Sequence, residues 1–249
     1  MKKYLLYVLA AATLTVSSCS VMKNLGLVLS VAEAIAGLKD ALSSGLFRSF
    51  DAVLNPNSTD NAIVRFAFPD DADKIQTTLT ALGLGPVLDR ATAQVNHAMR
   101  QSVQAAKPIF VNSIQQMTFR DAMGILVTKN KHAATDYFKE TNRQLLMNAF
   151  RPVVDSTIRV ENIGNDWNRI VSVYNALPLK QQTLESNLTD FIAARMIDGM
   201  TLVMAREEEK IRDNISARTT EMMRKAFGYA DQQLKMQEAG LPTIPSSGY

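Results

Sequence analysis

The sequence predicts an all-α chain, built as a single multi-helix bundle domain. Apolar residues recur every three to four positions along most of its 249 residues, the period of an amphipathic helix. Pro, Gly, Asn and Asp interrupt that period at intervals that suit helices and short turns. Only "AIVRFAFP", residues 62–69, alternates weakly and is rich in β-branched and aromatic residues, which suggests one short extended segment near 62–68 ending at Pro69. A single such segment makes no sheet.

In chain order, Val31, Ile35, Leu38, Leu42, Phe50 and Val53 fall on one face of a first helix. "NPNSTDN", Asn55 to Asn61, is turn chemistry and ends it. "DDADKIQTTLTALG" opens with acids that favour a helix N-terminus and stops at Gly83. Pro86 opens a long helix to about Met117, with Leu88, Val95, Met99, Ser102 and Ala106 as its seam. Pro108 lacks a backbone donor and is expected to kink or divide it. Thr118 and Asp121 have capping-box spacing ahead of a short helix, "FRDAMGIL".

"HAATDYFKETNRQLLMNAF" follows as a helix with Tyr137, Phe138, Thr141, Leu145 and Ala149 as its stripe, and Pro152 is expected to start another. One more helix spans Asn165 to Ala176, before Pro178. Asn187 or Thr189 caps "DFIAARMIDGMTLVMAREEEKIR", whose Glu208 and Arg212 lie one turn apart in the favourable order. A last helix is expected from about Ala217 to Phe227, and "LPTIPSSGY" from Leu241 reads as a disordered tail.

The N-terminus carries an address. Lys2 and Lys3 precede an apolar run from Tyr4 to Val16, shorter than the about 20 residues a membrane span needs but matching the core of a secretory signal peptide. Ser17, Ser18 and Cys19 follow, and Val16-Ser17-Ser18-Cys19 resembles the bacterial lipobox. That resemblance implies cleavage before Cys19, a diacylglycerol on its thiol and an acyl group such as palmitate on the new N-terminus. A thiol is the most nucleophilic side chain near neutral pH, and two or more chains anchor stably where one binds reversibly. An ordinary secretory signal with a cysteine nearby is the competing reading.

Cys19 is the only cysteine, so no internal disulfide can form. The formal charge is +3, and removal of Lys2 and Lys3 leaves 25 basic against 24 acidic residues. That near-neutral balance makes no electrostatic case for nucleic acid.

Signals for chemistry are sparse. His97 and His132 are the only histidines, and His132 and Asp136 could share a helical face as a base and its orienter, but no nucleophile is spaced to use them. No HExxH, paired cysteine or calcium-loop spacing is present, so neither a metal nor a cofactor is expected. The run Glu207, Glu208, Glu209 spreads its carboxylates around a helix and reads as a solvated face with ion pairs. "GLGP", Gly83 to Pro86, lacks the lysine and strand of a phosphate-binding loop. "GLVLSVAEAIAGL" could line a groove for lipid, but core packing of the first helix is the favoured reading of the pattern.

Several stretches resemble a bacterial family known as domain-of-unknown-function family 4197. They are "GLKDALSSG" (37–45), "VRFAFP" (64–69), "VNHA" (95–98), "IFVNSIQQMTFRDAMGIL" (109–126), "AATDYFKETNRQLLMNAFRP" (133–152), "EEKIR" (208–212) and "ARTTEMMRKAFG" (217–228). The resemblance implies a mostly helical, exported, often lipid-anchored protein and implies no activity. The chain departs from the pattern at "VTKNKH", Val127 to His132, where the family usually has a Gly-containing turn, at Arg100, where Glu is common, and at Ile215, where Pro is usual.

Arg65, Asp121, Tyr137, Glu208, Arg212 and Arg218 all lie in the family-like stretches, and helices that brought them together would form an ion-pair network or a polar pocket. The resulting expectation divides the chain into a lipoprotein signal peptide (1–18), a lipid-anchored tether (19–30), a helical domain (31–228) and a helical extension with a disordered tail (229–249). It places the protein in the cell envelope, on the periplasm-facing outer membrane, attached through Cys19 and binding an envelope protein or small ligand. The alternative is an enzyme with a polar pocket around Asp121, Tyr137 and Arg218.

Overall fold

The computed structural model describes residues 28–66, 72–161, 163–176, 178, 183 and 187–242, and every regular element among them is helical. The elements are α1 (Val31–Leu54), α2 (Asn61–Val64), α3 (Ala72–Ala81), α4 (Gly85–Gln116), α5 (Ala122–Leu126), α6 (Ala133–Glu161), α7 (Gly164–Ala176), α8 (Leu188–Asp213), a 3-10 turn (Ile215–Ala217) and α9 (Glu221–Glu238). The expected signal peptide, Cys19 and the tail from residue 243 lie outside the described residues. The described residues fall into two compact units: those from 28 to 41, Thr118–Ala134 and from Glu208 to 242 form the first, and those within Leu42–Met117 and Thr135–Glu207 form the second.

In the first unit, α1 starts at a capping box that the sequence reading passes over. The Ser30 hydroxyl oxygen accepts from the Glu33 N–H at 3.2 Å, and the Ser30 N–H donates to the Glu33 carboxylate at 3.0 Å. Donation from the Ser30 backbone and hydroxyl holds the Glu33 carboxyl below its ordinary range. Ala34 and Leu38 are buried, whereas Val31 is 36 % exposed and lies at the edge of the expected stripe. Helices α1 and α9 pack closely at Gly37: a Cβ there would lie 2.4 Å from the Ala226 Cβ, so no larger residue fits without a shift.

Helix α9 runs eleven residues past Phe227, to Glu238, without a break. Thr220 caps it by accepting from the Met223 N–H at 3.1 Å, and Met223, Ala226, Phe227, Ala230 and Gln233 continue one buried stripe through Gly228. It ends at Gly240, whose φ of 67° allows the Leu241 N–H to reach back to the Met236 carbonyl at 2.9 Å.

In the second unit, α4 packs against α3 and α7, and α3 against α7. Gly83 stops α3 as expected: at φ 77° it lets the Leu84 N–H donate to the Leu79 carbonyl at 2.9 Å. Asn187 caps α8 by accepting from the Asp190 N–H at 3.2 Å. Two edge-to-face chains of rings fill the core: Phe50, Phe110 and Phe150 at 6.3 and 5.8 Å, and Phe66 against Trp167 and Phe191 at 5.7 and 5.3 Å.

Two expected breaks do not divide their helices here, because burial outweighs a local break. Pro108, expected to kink or divide α4, does not divide it, and Ala106 and Phe110 on either side are buried. Pro152 lies within α6 between buried Phe150 and Val154 and starts nothing. Each costs about 3 kcal/mol of local helix stability, which flanking burial offsets. The expected extended segment begins as helix α2, anchored by the Asn61 amide donating to the Ala52 carbonyl at 2.8 Å; residues 67–69 lie outside the described residues. The α6 stripe is also rotated from the expected one. Thr141 is exposed and Leu145 is 58 % exposed, whereas Thr135, Phe138, Asn142, Leu146, Phe150 and Val154 are buried.

Candidate functional site

Glu208 and Arg212 occupy the last two turns of α8, where their i,i+4 spacing stacks them on one face. Their side chains are 2 % and 8 % exposed and meet at 2.8 Å. Glu208 is therefore no part of a solvated run; its neighbours Glu207 and Glu209 are only half-buried. Burying an ion pair is costly unless its remaining hydrogen-bonding capacity is used.

That capacity is used on helix ends. The Glu208 carboxylate accepts from the Ala134 N–H at 3.0 Å, one of the N-terminal donors of α6. The Arg212 guanidinium donates to the Leu126 and Ile125 carbonyls at 2.9 and 3.0 Å, closing the C-terminus of α5. Arg218, 4 % exposed, repeats this one step on. It donates to the Ile211 and Arg212 carbonyls at 2.9 and 2.8 Å, closing α8, and to the Asp231 carboxylate of α9 at 2.7 Å. The Phe227 ring lies 5.3 Å from the Arg212 guanidinium carbon and 5.9 Å from that of Arg218, within cation–π range of both.

Three members of the sequence-predicted cluster, Glu208, Arg212 and Arg218, thus form one network. Asp121, in the same unit, instead caps α5 by accepting from the Gly124 N–H at 2.7 Å. It is the capping residue itself, not the third position of a box begun by Thr118. Arg65 and Tyr137 belong to the second unit, Arg65 exposed at the C-cap of α2 and Tyr137 half-buried on α6. Phe227, Asp231 and the α5 carbonyls were not anticipated, because ring and backbone partners leave no trace in residue spacing.

Beside the network lies a cleft of about 310 Å³. Phe227, Ala230 and Leu234 supply apolar walls, and Lys129, Lys131 and Asp213 supply charge. The charges are balanced locally: Lys131 binds Asp213 at 2.5 Å and Glu209 at 3.4 Å, and Lys129 lies 3.3 Å from Glu238. Hydrogen bonding to Asp213 raises the Lys131 pKa above its ordinary value. Thr128, Lys129 and Lys131 come from "VTKNKH", the stretch from Val127 to His132.

The second unit holds a different pocket, of about 200 Å³, where the end of α1, α2 and the middle of α4 meet. Asn96 fixes its geometry: its amide oxygen accepts from the Phe66 N–H at 2.8 Å while its amide nitrogen donates to the Phe66 and Thr92 carbonyls, both at 2.9 Å. Arg65 and Arg100 both line this pocket. Arg100 was not among the expected site residues. Among the described residues, no group of three or more His, Cys, Asp or Glu side chains is placed to hold a metal ion.

The family model described as "Protein of unknown function (DUF4197)" matches residues 28–228. No curated protein and no solved structure matches the chain. The matched span takes in the α1 capping box, the Glu208–Arg212–Arg218 network and Phe227, and the chain belongs to the DUF4197 family.

Proposed function

We propose that this DUF4197 member is a lipid-anchored cell-envelope protein, held at the periplasm-facing outer membrane through Cys19, whose helical part serves as a binding module for an envelope protein or small ligand. The lipobox-like order Val16-Ser17-Ser18-Cys19 supports the anchor, and no helix among the described residues is long and apolar enough to cross a membrane. The observation that carries the binding reading is that Glu208, Arg212 and Arg218 are committed to closing helix ends, which fixes the walls of a cleft. Groups so committed hold a shape; they are poorly placed to move protons. An enzyme with a polar pocket around Asp121, Tyr137 and Arg218 would need Arg218 to release two carbonyls and a carboxylate before it could meet a substrate.

Native mass spectrometry of the full protein extracted from its own membrane tests both parts. Acyl mass on the wild type, absent from Cys19→Ala, supports the anchor. A second, reproducible added mass that Leu234→Glu removes supports binding at the cleft. Wild-type protein without acyl mass refutes the anchor, and a second mass unaffected by Leu234→Glu refutes the cleft as its seat.

A further inference from the structure

The arginines of the second unit are, for the most part, paired. Arg48 meets Asp60 at 2.9 Å, Arg90 meets Asp166 at 2.6 Å, and Arg143 and Arg151 each meet an aspartate at 2.5 Å. Among the described residues Arg65, Arg100, Arg169 and Arg195 form no such ion pair, Arg195 donating instead to the Arg65 carbonyl at 3.3 Å, and of these Arg65 and Arg100 share a pocket. Both line the pocket of about 200 Å³, and among the described residues no carboxylate pairs with either guanidinium. The Asn96 amide in the same pocket is spent on the Phe66 and Thr92 backbone, and the Asn61 amide nitrogen on the Ala52 carbonyl. The rest of the lining includes Val53, Val64 and Met99, each at most 4 % exposed.

Two like charges brought to one concavity repel each other unless a counter-charge joins them. A guanidinium presents its N–H donors in a planar fork that matches the two oxygens of a carboxylate or phosphate. The apolar part of the lining rewards a ligand that also carries hydrocarbon. At roughly 30 Å³ per water, the pocket holds the equivalent of about seven waters, and hence an anion with about that many non-hydrogen atoms.

We infer that this pocket is a binding site for a small organic oxyanion, a carboxylate or phosphate monoester with a short alkyl group, held between Arg65 and Arg100. The site lies wholly in the second unit and is independent of the anchor and of the cleft beside Arg212.

The test is calorimetric titration of the full-length protein with butyrate and with butyl phosphate, using inorganic phosphate as the anion without a tail. At least one alkyl-bearing probe is expected to bind saturably, about tenfold or more tighter than inorganic phosphate. Arg100→Ala and Arg65→Ala should each weaken it about tenfold or more, and Arg100→Glu should abolish it by supplying Arg65 with an internal carboxylate. Melting without ligand checks that each variant folds; both residues are at least partly exposed, so little change is expected. Butyrate binding best assigns a carboxylate ligand, and butyl phosphate best a phosphate ester, whether free or part of a lipid headgroup. Binding of neither alkyl probe, equal binding of inorganic phosphate, or binding that survives Arg100→Glu in a folded variant would overturn the inference.

Discussion

Replacing Arg212 with methionine is the sharpest test of the capping network. Methionine fills much of the arginine stem but leaves Glu208, 2 % exposed, as a buried carboxylate with the Ala134 N–H but without its guanidinium. It also strips the Ile125 and Leu126 carbonyls of their donor. Removing one member of a buried pair costs about 3–5 kcal/mol, and each orphaned carbonyl pushes the loss toward the upper end. For a chain of this size that is a fall in melting temperature of about 6–20 °C.

Urea unfolding and scanning calorimetry measure it. The double variant Glu208→Leu/Arg212→Met then separates two explanations. If the pair matters only for its own charges, apolar replacement of both restores wild-type stability or better. If, as the geometry indicates, the pair closes helix ends, the double variant stays at least about 2 kcal/mol below wild type, because one N–H and two carbonyls remain without partners. A loss below about 1 kcal/mol for Arg212→Met, or a fully restored double variant, refutes the capping account.

Other substitutions test the packing and the charges. Leu146→Ala should cost about 2–5 kcal/mol in equilibrium unfolding, whereas Leu145→Ala, on a side chain 58 % exposed, should stay within about 0.5 kcal/mol; the reverse order would restore the stripe expected from sequence. Gly37→Ala should destabilise by about 1–3 kcal/mol because its Cβ meets Ala226, while Gly228→Ala, with nothing within 4 Å, should stabilise by about 0.5–1 kcal/mol. Burial raises the Asp198 pKa, but hydrogen bonds from Arg143 and Lys139 outweigh it and leave the pKa lowered. Its folded value thus lies below the unfolded one of about 3.9, so its stabilisation is present above about pH 4 and is lost as pH falls further. Asp198→Asn should be less stable than wild type at pH 7 by under about 1 kcal/mol, given its exposure, and melting curves should converge as pH falls below 4. A gap that widens on acidification contradicts this pairing.

Helix ends governed by a local backbone requirement were legible in the sequence. Gly83 supplies a positive φ, Asn187 a side-chain cap and Pro86 a first-turn residue without an N–H, and each acts within a few residues. Ser30 and Glu33 carried an equally local signal that went unread. Long-range burial was not legible: Pro108 and Pro152 read as breaks because neighbours such as Phe110 and Phe150 gain their partners only in the folded chain. The α6 stripe failed differently. Tyr137, Thr141 and Leu145 make an acceptable helical face on pattern alone, and only packing selects the face one residue round that holds Leu146 and Phe150.

The candidate sites show the same division between local pattern and distant partner. Glu208 and Arg212 could be paired from sequence because four residues of helix fix their separation, whereas the task they perform depends on carbonyls more than eighty residues away. Arg65, at the C-cap of α2, and Arg100, on α4, are thirty-five positions apart, so no spacing rule links them. Formal charge hides them as well, since 27 bases against 24 acids suggests a chain near balance. Balance over a whole chain is compatible with local excess: most arginines of the second unit meet an aspartate, and among the described ones that do not, Arg65 and Arg100 share a concavity. The pairing pattern, resolved residue by residue, is therefore the more informative guide to where this protein would receive an anion.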